Sequence, residues 1–251
     1  MSQKKKKNAN YQTASKIKEK EKLEKERAEK KKNLIITIST IAVAVVFLVS
    51  VIGAILWSSF GTEQMGTGAS EYLETRDTTG RDIKYVEMCV EDYGKLVILL
   101  DATTAPKTVE NFLSLVRAGF YDGLTFHRVI ENFMIQGGDP RADGTGKGQN
   151  TIVGEFDSNG HINDIKHLRG VISMARGNYP DSASCQFFIC NADSPHLNGD
   201  YAAFGYVVEG MSVIDDITEE TVKYTTGGVI RDKSKQAVIK YIKVLDSWEK
   251  P

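Results

Sequence analysis

The feature that most constrains this chain is a run of 24 consecutive uncharged residues, 34–57, which divides it into two unequal parts. Valine, isoleucine and leucine dominate the run, and Trp57 ends it where an interfacial aromatic residue would lie. As a helix the run would be roughly 36 Å long, enough to cross a hydrocarbon core of about 30 Å. We therefore predict one uncleaved transmembrane signal-anchor helix over 34–57. The alternative is a cleaved signal peptide, but its apolar run would be only about 7–15 residues, and no good A-x-A-like site is present.

Charge is distributed unevenly on either side of this run. Residues 1–33 contain 13 Lys and Arg against 5 Asp and Glu, a net charge of +8, whereas residues 34–251 carry −9. Because basic flanks remain on the cytoplasmic side of a membrane, we expect a cytoplasmic tail and an extracytoplasmic body. A flexible tail is the simplest interpretation of the basic segment, and contact with anionic lipid headgroups of the bilayer fits its chemistry equally well. The acidic body argues against nucleic acid as a partner.

The remainder of the chain divides into a linker and a folded body. Residues 58–80 are rich in Gly, Ser and Thr, which is typical of a linker, and residues 81–251 are the predicted folded domain. In this domain short β-rich segments recur between turn residues, and the first two flank a turn at Gly94, which predicts a hairpin.

Two helices are predicted among these strands. The first is opened by Pro106, whose missing N–H is harmless at a helix start, and is stopped near Gly119. Its apolar positions recur at helical spacing and form one face: Val109, Phe112, Leu113 and Val116. The second helix is short, over 211–217. Many short strands with only two helices fit a closed antiparallel barrel better than an α/β sheet.

The stretch FHRVIENFMIQGGDP, which starts at Phe126, predicts two short strands around a turn, ending in a glycine pair. Alternate side chains of a strand share a face, so Phe126, Arg128 and Ile130 are expected to point one way. Met134 and Gln136 are expected to share a face of the second strand. If these faces line one groove, they combine a fixed cation, an amide and a thioether with aromatic carbon, which is the usual composition of a ligand site.

The cysteines, the histidines and the glycine-rich loop give no sign of a redox, metal, hydrolase or phosphate-binding site. The three cysteines form no C-x-x-C pair, and we interpret them as small buried hydrophobic residues, with a reactive thiol at Cys185 as the alternative. The four histidines form no metal cluster, no G-x-S-x-G elbow occurs, and His127 should point away from Arg128. The glycine-rich loop 142–150 lacks the G-K-[ST] sequence that opens a helix in phosphate-binding loops, so we interpret it as the rim of the groove.

The stretch starting at Phe126 is followed by SMAR at 173–176, QFFI at 186–189 and YAAFG at 201–205. Together these motifs resemble the cyclophilins, a family of peptidyl-prolyl cis-trans isomerases, over about residues 85–246. With the predicted anchor, the chain is similar to bacterial membrane-anchored members. The resemblance implies a mainly β fold: a closed eight-stranded antiparallel barrel capped by two helices, with its groove outside, preceded here by one transmembrane helix. It implies no metal and no other cofactor.

The resemblance also implies the roles of individual groove residues. Arg128 matches the catalytic arginine of the family, and Gln136 matches the residue that holds this arginine and the peptide. The proline pocket is matched by four residues: Phe133, Met134, Phe188 and Leu197. The path of the peptide is matched by two more: Gln186 and Ala175.

Three positions of the peptide-binding surface depart from the best-known eukaryotic pattern. His196 stands where those members carry tryptophan, Tyr201 where they carry histidine, and Arg176 where they carry asparagine. Tyrosine at the second position is a pattern associated with bacterial members, and its hydroxyl and ring can still make contacts. Because His196 lacks an indole and its N–H donor, we expect the fungal cyclic peptide cyclosporin to bind weakly.

The implied reaction is rotation about the amide bond that precedes proline, which has a barrier of about 18–20 kcal/mol. No bond to carbon is broken, so neither a nucleophile nor a metal is needed. In the twisted transition state the prolyl nitrogen becomes a pyramidal acceptor. A permanently charged donor such as Arg128 stabilises that state more than the planar ground state.

These observations predict a single-pass protein of the cell membrane, with a cytoplasmic N-terminus and a monomeric, extracytoplasmic catalytic domain. Its substrates would be proline-containing polypeptides that are unfolded or newly exported. The alternative is a proline-peptide binding or chaperone module in which catalysis is incidental.

Overall fold

The computed structural model describes residues 78–249, and the predicted basic tail, anchor helix and most of the linker lie outside these residues. Within the described residues, no helix has both the length and the apolar character that crossing a bilayer requires. The strands in this part of the chain are β1 (Ile83–Val90), β2 (Gly94–Asp101), β3 (Thr125–Ile130), β4 (Met134–Gly137), β5 (Val171–Met174), β6 (Phe187–Cys190), β7 (Ala203–Glu209), β8 (Thr225–Thr226), β9 (Val229–Ile230) and β10 (Ala237–Leu245). The α-helices are α1 (Pro106–Arg117) and α2 (Met211–Thr221).

Eight of these strands close into an antiparallel barrel. Their order around it is β10-β1-β2-β7-β5-β6-β4-β3, and β3 pairs with β10 to complete the ring. At this closure Phe126 lies opposite Ala237, and Thr125 lies opposite Val238. The short strands β8 and β9 form a hairpin attached to the edge of β3, which the sequence did not predict. The predicted eight-stranded barrel with two helices is therefore confirmed.

The interior of the barrel is packed with apolar side chains. On β1, the alternate residues Val86, Met88 and Val90 are buried, which is the period of a strand with one face inward. Phe112 of α1 meets Phe187 of β6 edge to face, with ring centroids 5.6 Å apart. Burying one such aromatic side chain stabilises the fold by roughly 1.5–3 kcal/mol. Because side chains fill the barrel, a ligand must bind on its outer surface.

Helix α1 shows why its boundaries could be predicted. It begins at Pro106, as expected, and a carboxylate from a distant loop binds two of its first N–H groups. Glu155 accepts hydrogen bonds from the backbone N–H groups of Lys107 (3.0 Å) and Thr108 (2.8 Å), and its charge favours the positive helix end. The helix is followed by Gly119 at φ +65°, a conformation that glycine adopts without strain. Its predicted apolar face is buried: Val109, Phe112, Leu113 and Val116.

Helix α2 is longer than predicted. The apolar pattern ended at Ile217, but the helix continues to Thr221. The hydroxyl groups of Thr218 and Thr221 donate hydrogen bonds of 2.7 Å to the carbonyl groups of Ile214 and Ile217, respectively, one turn back. Because these bonds satisfy both hydroxyls, threonines that look polar in the sequence can be buried in the last turn.

The expectation that Phe126 shares the groove face with Arg128 and Ile130 is wrong. A β-bulge interrupts the pairing of β3 with β4, because Phe126 lies opposite Gly137 whereas Arg128 lies opposite Gln136. Strand β3 therefore contains one extra residue, which reverses the alternation of its side chains. Phe126 is consequently buried in the barrel core, while Arg128 remains partly exposed on the outer face.

Candidate active site

The site is built on a row of residues that crosses three neighbouring strands. Arg128 on β3 is paired with Gln136 on β4, and Gln136 is paired in turn with Phe188 on β6. Directly paired residues of adjacent strands project from the same side of a sheet. The bulge thus places the cation, the amide and an aromatic ring side by side on the outer wall of the barrel.

A chain of hydrogen bonds fixes the polar end of this row. Arg128 donates from Nη1 to Oε1 of Gln136 over 3.1 Å, and Gln136 donates from Nε2 to Oε1 of Gln186 over 2.9 Å. Gln186 then donates from Nε2 to the carbonyl oxygens of Gly146 (2.7 Å) and Gly144 (3.3 Å). Because every link runs from donor to acceptor in one direction, each amide has a defined orientation, and the Arg128 side chain is held by this network.

The Arg128 guanidinium has no counter-ion in the described part of the chain. Arg128 takes part in none of the ion pairs that residues 78–249 form. Partial burial lowers the pKa of Arg128, but an arginine remains protonated at any physiological pH. Its other N–H donors are therefore available to an acceptor on a ligand.

An apolar cluster lies beside the cation, separate from the barrel core. Its buried members include Met134, Phe188 and Leu197, which are exposed by 1%, 5% and 7%. Partly buried side chains around them include three predicted site residues: Phe133, Ala175 and Tyr201. This cluster supplies the apolar surface that was predicted for the groove.

These side chains line one open cavity of about 100 Å³, which collects most of the sequence-predicted site residues. Its walls are formed by Arg128, Phe133, Met134, Gln136, Ala175, Arg176, Phe188, Leu197 and Tyr201. Two predicted residues lie outside these walls. Gln186 lines an adjacent cavity, and the exposed His196 packs beside Phe133 with ring centroids 5.2 Å apart and the rings tilted by 38°.

Arg176 makes contacts that the sequence did not indicate. Its guanidinium carbon lies 4.8 Å from the ring centroid of Tyr201 and 5.2 Å from that of Phe156. The same group donates hydrogen bonds to the backbone carbonyl oxygens of Asp200 (2.9 Å) and Gly177 (3.0 Å). Arg176 therefore joins three loops and supports Tyr201 at the cavity wall by a cation–π contact.

A buried histidine lies behind the pocket. The ring of His167 is stacked on Phe188, with centroids 6.0 Å apart and an interplanar angle of 16°. Oδ1 of Asn198 accepts the backbone N–H of His167, so this atom is an acceptor and Nδ1 of the ring must donate to it. Nε2 then accepts from the hydroxyl of Ser173, and burial lowers the pKa of His167 to about 4. A neutral, fixed ring thus supports the pocket floor.

The remaining reactive residues line neither the cavity that contains Arg128 nor the adjacent one. His127 is 1% exposed and has no hydrogen-bond partner for either ring nitrogen among the described residues. Burial lowers the pKa of His127 and raises the pKa of the Cys185 thiol, which disfavours a reactive thiolate there. Residues 78–249 contain no group of three or more His, Cys, Asp and Glu side chains that could hold a metal ion.

Comparisons with known proteins identify the family to which the chain belongs. The family model for the cyclophilin type peptidyl-prolyl cis-trans isomerase/CLD matches residues 85–244. The chain is 42% identical over 154 residues to the peptidyl-prolyl cis-trans isomerase ppi1 of Schizosaccharomyces pombe, covering 61% of this chain and 90% of that protein. It is 50% identical over 117 residues to the peptidyl-prolyl cis-trans isomerase CYP18-1 of Arabidopsis thaliana, covering 46% of this chain and 71% of that protein.

A solved structure gives the same answer for the fold. The crystal structure of a Cryptosporidium parvum cyclophilin type peptidyl-prolyl cis-trans isomerase, in the presence of the dipeptide Ala-Pro, matches with a TM-score of 0.57 and 29% identity. The match covers 65% of this chain and 99% of that one. The chain therefore belongs to the family of cyclophilin-type peptidyl-prolyl cis-trans isomerases, as its motifs predicted.

Proposed function

We propose that the cavity binds the proline ring of a polypeptide substrate and that Arg128 accelerates rotation about the preceding amide bond. The observation that carries this proposal is the partly buried guanidinium, without a carboxylate partner among residues 78–249, at the edge of an apolar cavity. The solved Cryptosporidium parvum relative was crystallised in the presence of Ala-Pro, which supports the same class of ligand here.

The energetic requirement of this reaction is modest. Uncatalysed rotation takes about 10–100 s, and turnover at about 1–10³ s⁻¹ requires the barrier to fall by about 3–7 kcal/mol. A charge-assisted hydrogen bond to the pyramidal prolyl nitrogen contributes only in the twisted state, because the planar amide nitrogen has no available lone pair. Phe188, Met134 and Leu197 hold the ring by apolar contact while the rest of the peptide rotates.

Gln136 has a second part in this proposal. Its amide accepts from Arg128 and donates to Gln186, so the guanidinium is oriented before the substrate arrives. Such preorganisation avoids a reorganisation penalty in the transition state. The partly buried Ala175, Arg176 and Tyr201 form the wall along which the peptide backbone passes.

We further propose that the enzyme acts outside the cytoplasmic membrane, tethered by the apolar run 34–57. The uncharged run and the basic flank before it support this location, and the stretch after it, 58–80, contains only one basic residue, Arg76. Unfolded chains contain about 10–30% cis X–Pro bonds, whose isomerisation can limit folding. A tether raises the enzyme concentration near newly exported chains.

Two experiments test these statements. Isomerisation of an X–Pro peptide is measured with the full-length protein, Arg128→Ala and Arg117→Ala, the last replacing an exposed arginine of α1 as the matched control. We expect loss of activity only in Arg128→Ala; equal, near-background rates for all three proteins would favour a binding module.

To test the location, intact cells producing the full chain are treated with protease. Digestion of the body from outside supports the proposal, and its protection contradicts it.

A further inference from the structure

A second cavity adjoins the proline cavity and belongs to the same groove. It has a volume of about 200 Å³ and shares Gln136, Ala175 and Arg176 with the first. Its outer wall is the glycine-rich loop that carries Lys147, and its opposite wall contains small residues: Gly177, Ser182 and Ser184. A peptide in the proline cavity can therefore extend a neighbouring side chain into this second cavity.

The loop that carries Lys147 is fixed on both sides of that residue. The carbonyl oxygen of Gly146 accepts a hydrogen bond of 2.7 Å from Gln186, and the N–H of Gly148 donates one of 3.1 Å to the hydroxyl of Ser184. Gly146 is also packed so closely that a Cβ atom there would lie 1.8 Å from Oδ1 of Asp139. These contacts hold the backbone of Lys147 at the mouth of the cavity.

The charged side chains that line this cavity, Lys147 and Arg176, are both basic. No carboxylate of residues 78–249 lines it, and the nearby Asp143 accepts hydrogen bonds from the lining Thr145 and pairs with Arg141 at 3.9 Å. The nearby Asp139 is buried, and its oxygens accept the backbone N–H groups of Arg141, Asp143 and Gly144. The contacts of Arg176 are with carbonyl oxygens and rings, which do not cancel its charge. The charge carried by the walls of the cavity is therefore positive.

We propose that this cavity makes the enzyme selective for substrates with an aspartate or glutamate two residues from the proline. In an extended peptide, alternate side chains lie on the same side, roughly 6.6–6.8 Å apart, so a proline in the first cavity directs such a residue towards the second. The inference rests on the proposed function of the first cavity. Lys147 is the specificity residue, with Arg176 contributing to the same positive charge.

The expected selectivity is small and depends on salt. Lys147 is exposed, and exposed ion pairs stabilise a complex only weakly, so we expect about a two- to fivefold preference for the acidic over the lysine peptide at low ionic strength. The preference should diminish at about 1 M salt, where the Debye length falls to about 3 Å. A preference based on size alone would not depend on salt.

The test uses full-length protein and a neutral X–Pro peptide series with Glu, Gln or Lys two residues before or after the proline. The ratio of kcat/KM for the Glu and Lys peptides is measured for the wild type, for Lys147→Glu and for Lys240→Glu, which changes an exposed lysine of β10. We expect a ratio above one in the wild type and in Lys240→Glu, and a ratio at or below one in Lys147→Glu.

The outcomes separate the inference from the function on which it rests. If the wild type accelerates all peptides with equal kcat/KM, the selectivity is refuted and the proposed function stands. If the preference persists unchanged in Lys147→Glu, the assignment to this lysine is refuted. If no peptide is accelerated, the proposed function fails, and the inference fails with it.

Discussion

The guanidinium of Arg128 donates a 3.1 Å hydrogen bond to the side-chain oxygen of Gln136, its direct partner on the neighbouring strand. The nitrogen of the same amide donates to Gln186, so the amide cannot turn without breaking two bonds. Gln136 therefore fixes the direction in which Arg128 presents its remaining donors. This makes Gln136 a positioning residue whose effect should depend on the presence of Arg128.

Replacing Gln136 by leucine should lower kcat/KM about fivefold to tenfold. The substitution approximately keeps the side-chain size but removes the hydrogen bonds to Arg128 and Gln186. The expected fold-change corresponds to about 1–1.4 kcal/mol, within the net contribution of about 0.5–1.5 kcal/mol of a typical hydrogen bond. In an Arg128→Ala background the same substitution should have almost no further effect, because there is no guanidinium to orient. The measurement is a double-mutant cycle on isomerisation of an X–Pro peptide. Fully additive effects would show that Gln136 acts independently of Arg128.

His196 should determine how strongly cyclosporin inhibits the enzyme. Its imidazole lies beside Phe133 at the rim of the pocket, where it has less surface than an indole. We expect weak inhibition of the wild type and inhibition about tenfold stronger in His196→Trp, because the indole adds an N–H donor and aromatic contact. The measurement is the inhibition constant in the peptide assay. His196→Leu, which adds apolar surface without a donor, is the control, and nanomolar inhibition of the wild type would refute the prediction.

The second glycine of the QGGD sequence should tolerate no side chain. Gly138 has φ +79°, and a Cβ atom there would lie 2.8 Å from the carbonyl oxygen of Cys185 and 3.0 Å from the ring of Tyr121. Gly123 has the same φ, but a Cβ atom there would have no other atom within 4 Å. The variant Gly123→Ala therefore measures backbone strain alone. We expect Gly123→Ala to lower the free energy of unfolding by about 1 kcal/mol and Gly138→Ala by about 3 kcal/mol. Urea denaturation measures both, and equal losses would refute the steric argument.

The barrel and most of the pocket could be predicted because their signals are local in sequence. The apolar spacing in α1 and the short β-rich segments depend on neighbouring residues, and the motifs around Arg128 and Phe188 carry the resemblance. The bulge in β3 could not be predicted in this way. An inserted residue leaves the apolar pattern intact while it moves Phe126 into the core, and only the pairing with β4 reveals it.

Contacts between distant loops were missed for a related reason. Arg176 and Phe156 are 20 positions apart, and neither lies in a periodic segment that would indicate a contact. The bonds of His167 to Ser173 and Asn198 likewise form only when three separate segments fold together. Such contacts depend on tertiary packing, and the pattern of a single sequence does not indicate which distant segments pack together.

His167 should make the stability of the fold depend on pH between about 4 and 6.5. Its pKa in the folded protein is about 4, because the ring is buried, whereas an unfolded histidine has a pKa of about 6.5. The unfolded state therefore binds more protons in this range, and stability falls as the pH falls. Between pH 7 and pH 5 the free energy of unfolding should decrease by about 2 kcal/mol from this residue, and the buried His127 acts in the same direction.

The measurement is urea denaturation of the full-length protein at pH 7, 6 and 5, with His167→Gln as the test variant. This variant should be less stable than the wild type at pH 7, because it loses the stacked ring under Phe188. Between pH 7 and pH 5, however, its free energy of unfolding should decrease by about 2 kcal/mol less than that of the wild type. The reason is that glutamine cannot take up a proton at this position. His196→Gln, which replaces an exposed histidine, is the matched control. If His167→Gln and the wild type lose the same free energy between pH 7 and pH 5, His167 is not the group that titrates.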